Sequence, residues 1–371
     1  MTVIGFCLAA VGLLLPAAYV WWLNRRALEP GAMPQPPPAW PALDVIVAVL
    51  DEAAYLDAKV VDILRQEYPG ALALWIADGG STDGTQERAR AHALADPRVH
   101  LVGPIEGGKA TQLNAALACS SAPYVLISDA DARLAPDVAA RLIAAASADA
   151  RIGAIGVGHR PGQAHPVEHL HWGLVNRLRA LEHRAGAGVF LSAPCYLIAR
   201  DGFAGFAPDA AADDVHAAMA TLVEKRTVAQ VEALVIELRV PENWTALVRH
   251  KHRKAHAYVR EIFRFVPTLG RMPARPRAAF LWRATLILGS PTLLIVGATL
   301  VAISWRGPIW PYLGTLVVVT LMSVLSSRLR ELGALAAVLG SGVAVSLLRY
   351  PFSRPSSRWE RLAAQPPSSS R

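Results

Sequence analysis

Asp129 and Asp131 bracket one small residue at the end of an apolar run, 124–128. At period two, both carboxylates would face the same side of a strand end. Two hard oxygen ligands so placed suit Mg²⁺ or Mn²⁺, an ion that completes its shell on a diphosphate. The alternative is a strand end with solvated acids. Asp78 ends another apolar run and opens the segment Asp-Gly-Gly-Ser-Thr-Asp-Gly-Thr, 78–85. A carboxylate there can accept the imide N–H of a uracil ring, and the glycines let backbone approach a ligand closely. The same segment also reads as a turn capped by Thr82 or Asp83. Asp51 and Glu52 close the first apolar run and belong to the same crevice. Glu52 can instead serve as a helix-start acid facing the dipole. Lys109 follows two glycines at the start of a helical pattern, where a phosphate would meet it. The G-x-x-x-x-G-K-[ST] spacing of a P-loop is absent. Asp213 and Asp214 begin a further helical pattern, as a cap pair or as a general base aimed at an acceptor hydroxyl. His216, just beyond, reads as a packed residue.

These residues need a scaffold that brings strand ends together. Runs at 43–50, 72–77, 99–102 and 124–128 read as strands, with helical patterns at 52–67, 85–94 and 109–118 between them. The run at 124–128 shows no polar alternation, as in a strand covered on both faces. Such alternation predicts a doubly wound α/β domain, whose ligands sit at the carboxyl ends of the strands. A helix at 136–148 and strands at 152–157, 189–198 and 228–240 extend it.

The 371 residues divide unevenly. Residues 2–23 are almost wholly apolar, long enough to span a bilayer, and followed at once by Arg25 and Arg26. A secretory signal has the opposite charge order. The segment reads as an uncleaved anchor with its N-terminus outside. A Pro-rich linker, 25–42, leads to the α/β domain at 43–243. Residues 244–278 pass from a basic block into an aromatic, apolar stripe, the pattern of a helix lying on a membrane interface. Apolar runs return at 280–304, 309–326 and 332–348, within a transmembrane region spanning 279–350. The last is broken by three glycines and is either a crossing or re-entrant. A basic tail rich in Ser and Pro, 351–371, ends the chain. The net charge of +8 lies beside the apolar runs, which favours a membrane surface and not nucleic acid. Cys7, Cys119 and Cys195 are scattered, which excludes a disulfide framework or zinc knuckle and fits a reducing face.

Taken in order, Val45-Ile-Val-Ala-Val-Leu-Asp-Glu52, the 78–85 segment, Gly108-Lys-Ala-Thr-Gln-Leu-Asn114, Asp129-Ala-Asp131 and Asp213-Asp214 resemble the membrane-bound family 2 glycosyltransferases. The resemblance covers residues 43–260 and the flanking apolar segments. It implies a GT-A fold, Rossmann-like, with N- and C-terminal transmembrane helices. It implies an inverting transfer from a nucleotide-sugar, a UDP-sugar, to a membrane lipid or lipid-linked acceptor. Asp78 would then hold the nucleotide base, and Asp129 and Asp131 the metal and diphosphate. Asp51, Glu52 and Lys109 would line the nucleotide-sugar site, and Asp214, beside Asp213, would be the base. The domain would face the cytoplasm from a bacterial inner membrane. Processive synthases of this group carry Q-x-x-R-W on the interface helix. Here the nearest match, His250-Lys-His-Arg253-Lys254, lacks the Gln and Trp. Arg253 remains suited to the diphosphate. A processive polysaccharide synthase is the nearest rival, and a non-catalytic membrane scaffold is a further one. A nucleotidyltransferase would need a Gly-rich loop after the first strand, which 49–52 does not provide.

Overall fold

A computed structural model describes residues 1–29, 34–307 and 326–352. Its centre is an eight-stranded sheet. The first half is built from β1 (Leu43–Val49), β2 (Leu72–Asp78), β3 (Val99–Val102) and β4 (Tyr124–Ser128), joined through α2 (Ala53–Leu64), α3 (Thr85–Ala95) and α4 (Lys109–Cys119). All three pairings in the order β3-β2-β1-β4 are parallel. Successive residues of β1 bury opposite faces: Ile46 joins one apolar layer, Val45 and Val47 the other. That is why the run shows no polar alternation.

Beyond β4 the chain changes character. β5 (Ala132–Leu134), α5 (Val138–Ala148), β6 (Ile152–Pro161), α6 (Pro166–Arg184), β7 (Cys195–Ala199), α7 (Asp213–Val223) and β8 (Thr227–Glu237) follow. β7 inserts antiparallel against β4, and the order continues β7-β6-β8-β5. The expected strand at 189–198 is thus pared to Cys195–Ala199. Val189 and Leu191 are buried as coil. Two elements escape the sequence reading altogether, the 19-residue helix α6 and the three-residue β5.

The helix α8 (Trp244–Phe265) occupies the expected basic-to-aromatic stretch, capped by Asn243, whose side chain accepts from the Ala246 amide at 3.0 Å. It buries Leu247, Val259, Ile262 and Phe265 against the domain. Among the described residues, three helices are long and apolar enough to cross a membrane: α1 (Thr2–Asn24), the continuous helical stretch Ala274–Ser304 and Ser327–Arg349. The second comprises α9 (Ala274–Ala284), one π turn and α10 (Ser290–Ser304); the third is α11. The glycines at 333, 340 and 342 do not interrupt α11. The expected run at 309–326 falls almost entirely outside the described residues, as does most of the tail.

α1 and α10 lie antiparallel in close contact. A Cβ on Gly5 would stand 2.7 Å from the Gly297 carbonyl, and one on Gly297 2.6 Å from that of Gly5. Small residues are what allow two backbones to meet so closely. The Ser290 hydroxyl donates to the Gly12 carbonyl at 2.6 Å, and the Tyr19 ring stacks on Trp282 with centroids 5.7 Å apart.

Candidate active site

The carboxyl ends of β1, β2 and β4 converge, and α4 holds two of them together. Gln112 donates its amide to both the Val49 carbonyl (2.7 Å) and the Ala77 carbonyl (3.0 Å). Gly79 is required beside it, because an added Cβ would sit 2.6 Å from the Gln112 amide nitrogen. Asn114 clamps the loop ahead of α7 by exchanging two 2.8 Å hydrogen bonds with Phe206 backbone.

Asp78 is fully buried at the end of β2. Its carboxylate accepts from the amides of Gly80 (3.0 Å) and Ser81 (3.2 Å), so it closes its own turn. Asp51 takes a left-handed φ of +52° and accepts from the Thr82 amide at 2.6 Å. Glu52 is not simply a helix-start acid. Its side chain forms a two-pronged pair with Arg239, 187 residues away. Burial raises the Glu52 pKa, against the pull of Arg239.

Lys109 is the hub. Its ammonium lies 2.7 Å from Asp129 Oδ1 and 3.0 Å from Asp213 Oδ1. Burial works against its charge, yet the two carboxylates outweigh burial and raise its pKa. Asp129 and Asp131 do not share a strand face. β4 ends at Ser128, and the pair occupies the turn before β5. Asp129 consequently turns to Lys109, while Asp131 has Arg239 Nε at 4.0 Å. Burial, then the charges of Asp129 and Glu237, push the Asp131 carboxyl up to about 7. Beneath the turn, the buried Lys59 amine donates to Ser128 Oγ (2.8 Å) and to the Ala132 carbonyl (3.0 Å).

Asp213 and Asp214 open α7, as their spacing before an apolar helix predicts. They do different work. Asp213 accepts from the Tyr196 hydroxyl at 2.7 Å and pairs with Lys109. Asp214 is buried, and desolvation followed by the Asp213 charge raises its pKa to about 6. A carboxylate tuned toward neutrality is suited to taking a proton. His216 is structural: Nε2 accepts from the Ala207 amide at 3.2 Å, and Nδ1 lies 3.4 Å from buried Glu261. Arg253 lies half-buried on α8, where its charge is felt at His250.

Lys109, Asp129, Asp131, Asp213 and Asp214 are thus gathered around one crevice, with Asp51, Glu52 and Asp78 on its other wall. Sequence reasoning missed Arg239, Tyr196, Glu237 and Lys59. Arg239 stands alone among apolar neighbours at the end of β8, the same signal of charge after a strand that marked the acids.

Residues 44–204 match the family Glycosyl transferase family 2. An N-acetylglucosaminyltransferase of Rhizobium meliloti (strain 1021) is 28% identical over 250 residues, 62% of this chain and 58% of the relative. The succinoglycan biosynthesis protein ExoA of the same strain is 32% identical over 101 residues, 27% of this chain and 31% of the relative. The chain therefore spans little more than half the length of the first of these relatives and less of the second. Among solved structures, the mannosyltransferase PcManGT from Pyrobaculum calidifontis, in complex with GDP-Man and Mn²⁺, is 26% identical with a TM-score of 0.77, covering 94% of this chain and 98% of that one. The order of motifs, the mixed sheet and these likenesses agree: the chain carries a glycosyl transferase family 2 domain on a GT-A fold.

Proposed function

We propose that this chain is an inverting glycosyltransferase that moves a sugar from a nucleotide-sugar to a membrane lipid or lipid-linked acceptor. The observation that carries the reading is the meeting, through Lys109, of Asp129 from the turn after β4 with Asp213 from the start of α7, which brings Asp131 and Asp214 to the same crevice. Asp214 takes the proton of the acceptor hydroxyl as its oxygen attacks C1 of the sugar. The C1–O bond to the nucleoside diphosphate breaks, and the diphosphate leaves with the electron pair. Tyr196 and Lys109 hold Asp213, whose charge keeps the Asp214 carboxyl basic.

Asp129 and Asp131 fit a divalent cation in their chemistry. Asp131 is a half-buried carboxyl raised by desolvation and then by its acidic neighbours, an environment that a cation relieves. Among the described residues no group of three or more His, Cys, Asp or Glu forms a ready metal cage. The diphosphate of the donor would complete the shell, as it commonly does for Mg²⁺. When bound, the ion supplies neutralisation of the charge that develops on the leaving group. Mn²⁺ is the first choice to test, since PcManGT is solved with it.

A UDP-sugar is the leading donor class. The N-acetylglucosaminyltransferase relatives make UDP-N-acetylglucosamine the first to try, and GDP-mannose is the rival by likeness to PcManGT. The three apolar helices favour an integral membrane protein with its domain on the cytoplasmic side of a bacterial inner membrane. The test is transfer of radiolabel from a panel of nucleotide-sugars into lipid extracts, with Mg²⁺ or Mn²⁺. Label entering the lipid fraction supports the reading. No transfer from any donor into lipid or polymer sinks it. A long product would favour the processive reading.

A further inference from the structure

Several buried side-chain atoms without a hydrogen-bond partner lie on two neighbouring helices. They include Nε and Nη1 of Arg179, both ring nitrogens of His250 and Oδ1 of Asn176. They belong to α6 and α8, which lie beside β6 on the flank of the sheet next to β8. Buried groups of this kind are normally satisfied, and each one left open costs free energy. Arg179, with two lysines of α8, flanks one ring, Trp172 of α6. Lys254 Nζ lies 5.0 Å from its centroid, Lys251 Nζ 5.4 Å and the Arg179 guanidinium 5.8 Å. The His159 and His171 rings lie at 3.9 and 5.0 Å.

The charges do not cancel. Glu168 takes Lys251 at 2.7 Å. Glu237 has His159 at 3.3 Å and Lys254 at 3.9 Å. Arg179, only 3% exposed, forms no ion pair within 4.0 Å among the described residues. It lowers the Asp214 pKa without touching that carboxylate. His250, 4% exposed, likewise faces the cluster with nothing to bond. A buried cation in excess, with open donors around it, is a place for an anion. The cluster touches both the crevice and the apolar helices. Glu237 pairs in register with Ala132, next to Asp131. On the far side, Val167 of α6 and Leu247 of α8 pack with Leu335 of α11.

We propose that Arg179 and Lys254, which flank Trp172, together with His250 one helical turn before Lys254, form an anion subsite for the phosphate of an acceptor that carries an apolar chain. The inference rests on the sugar-transfer reading of the neighbouring crevice. The phosphate lies between the reacting sugar and the chain, which runs along α11. No bond changes at this subsite; it holds and orients.

Calorimetric titration of the detergent-solubilised full chain with farnesyl phosphate, farnesol and inorganic phosphate tests it. Farnesyl phosphate is expected to bind at least tenfold more tightly than either of the other two. Arg179→Gln and Lys254→Met are each expected to weaken farnesyl phosphate at least fivefold while leaving farnesol unchanged. Lys254 is partly exposed, so its variant keeps the test valid should Arg179→Gln fail to fold. Equal binding of farnesol and farnesyl phosphate overturns the subsite. So does equal binding of inorganic phosphate, which would mark a site for free anion only. Unchanged farnesyl phosphate affinity in Lys254→Met also overturns it. No donor is present in these titrations. Failure of the transfer reading shows separately, as no nucleotide release from any nucleotide-sugar in the wild-type chain.

Discussion

The two halves of the sheet treat their acids in opposite ways. In the parallel half, Asp78 and Asp51 have their oxygens engaged by backbone amides of the turn between β2 and α3. In the mixed half, half-buried Asp131 and buried Asp214 have their carboxyl groups pushed up toward neutrality, and Arg179 and His250 keep buried ring or guanidinium nitrogens without a hydrogen bond. Acids satisfied by backbone shape the wall of a site. Acids and bases left unsatisfied hold free energy that a ligand or a proton can release. On the proposed function, the parallel half would then form the architecture of the donor wall, and the mixed half would carry the chemistry and the acceptor contact.

The sharpest way to break this division is Asp214→Asn. Loss of a general base is expected to lower kcat by about 10²–10⁴-fold. The fold should not suffer, because the change removes a buried charge; thermal melting at pH 8 should be unchanged or higher. A large fall in melting temperature would put Asp214 among the architectural acids instead. The wild-type pH profile gives the sign. The Asp214 pKa lies above the ordinary carboxylate value, at about 6, and the active form is deprotonated. Below about 6 the base is protonated, so kcat should climb as pH rises from 5 to 7. A profile flat across that window counts against the assignment.

Next in size are Asp129→Asn and Asp131→Asn. Each is expected to cost about 10²–10³-fold in transfer, the scale of losing one preorganised electrostatic group. Each should also abolish the response to added Mn²⁺. Retained metal dependence in both variants would move the ion elsewhere. Asp78→Asn inverts the pattern. The carboxamide oxygen can keep the Gly80 and Ser81 amides, but its NH2 then takes the place of the other carboxylate oxygen, a buried donor with no acceptor to meet it, costing about 1–3 kcal/mol of stability. Chemical denaturation reads this loss. Unaltered stability would mean that the turn does not depend on the carboxylate. The smallest effect belongs to Tyr196→Phe, which removes one hydrogen bond to Asp213. At about 1 kcal/mol, it should lower kcat roughly fivefold and leave KM for the donor in place.

Legibility in the sequence followed the same division. β1, β2 and β4 were readable because each is an unbroken apolar run ending in charge, and the turn acids lie immediately after them. α6 was unreadable for a physical reason. It turns Glu168, Trp172, Arg179 and Glu182 inward, so a buried face made of charge masks the apolar periodicity that marks an ordinary helix. The stretch 189–191 misled for the converse reason, since burial without pairing looks like a strand. The Glu52–Arg239 pair joins residues from opposite ends of the domain, and only the closing of β8 onto the sheet reveals it. Asp129 and Asp131 were found by spacing, but their divergence was not, because a turn and not a strand carries them.

The tight antiparallel seat of α1 on α10 has a mechanical consequence. One helix precedes the domain and the other follows it, and both reach it at the same place, where Tyr19 stacks on Trp282. Glu182 of α6 then takes the Tyr19 hydroxyl at 2.6 Å and Arg283 at 2.8 Å. A body on a single stalk can swivel; one bolted to two adjacent legs can only nod. In a bilayer, the crevice would hang at a nearly constant height above the lipid. On the proposed function, such a mount would work as a depth gauge, favouring acceptors whose reactive hydroxyl rides at that one level over those seated higher or lower.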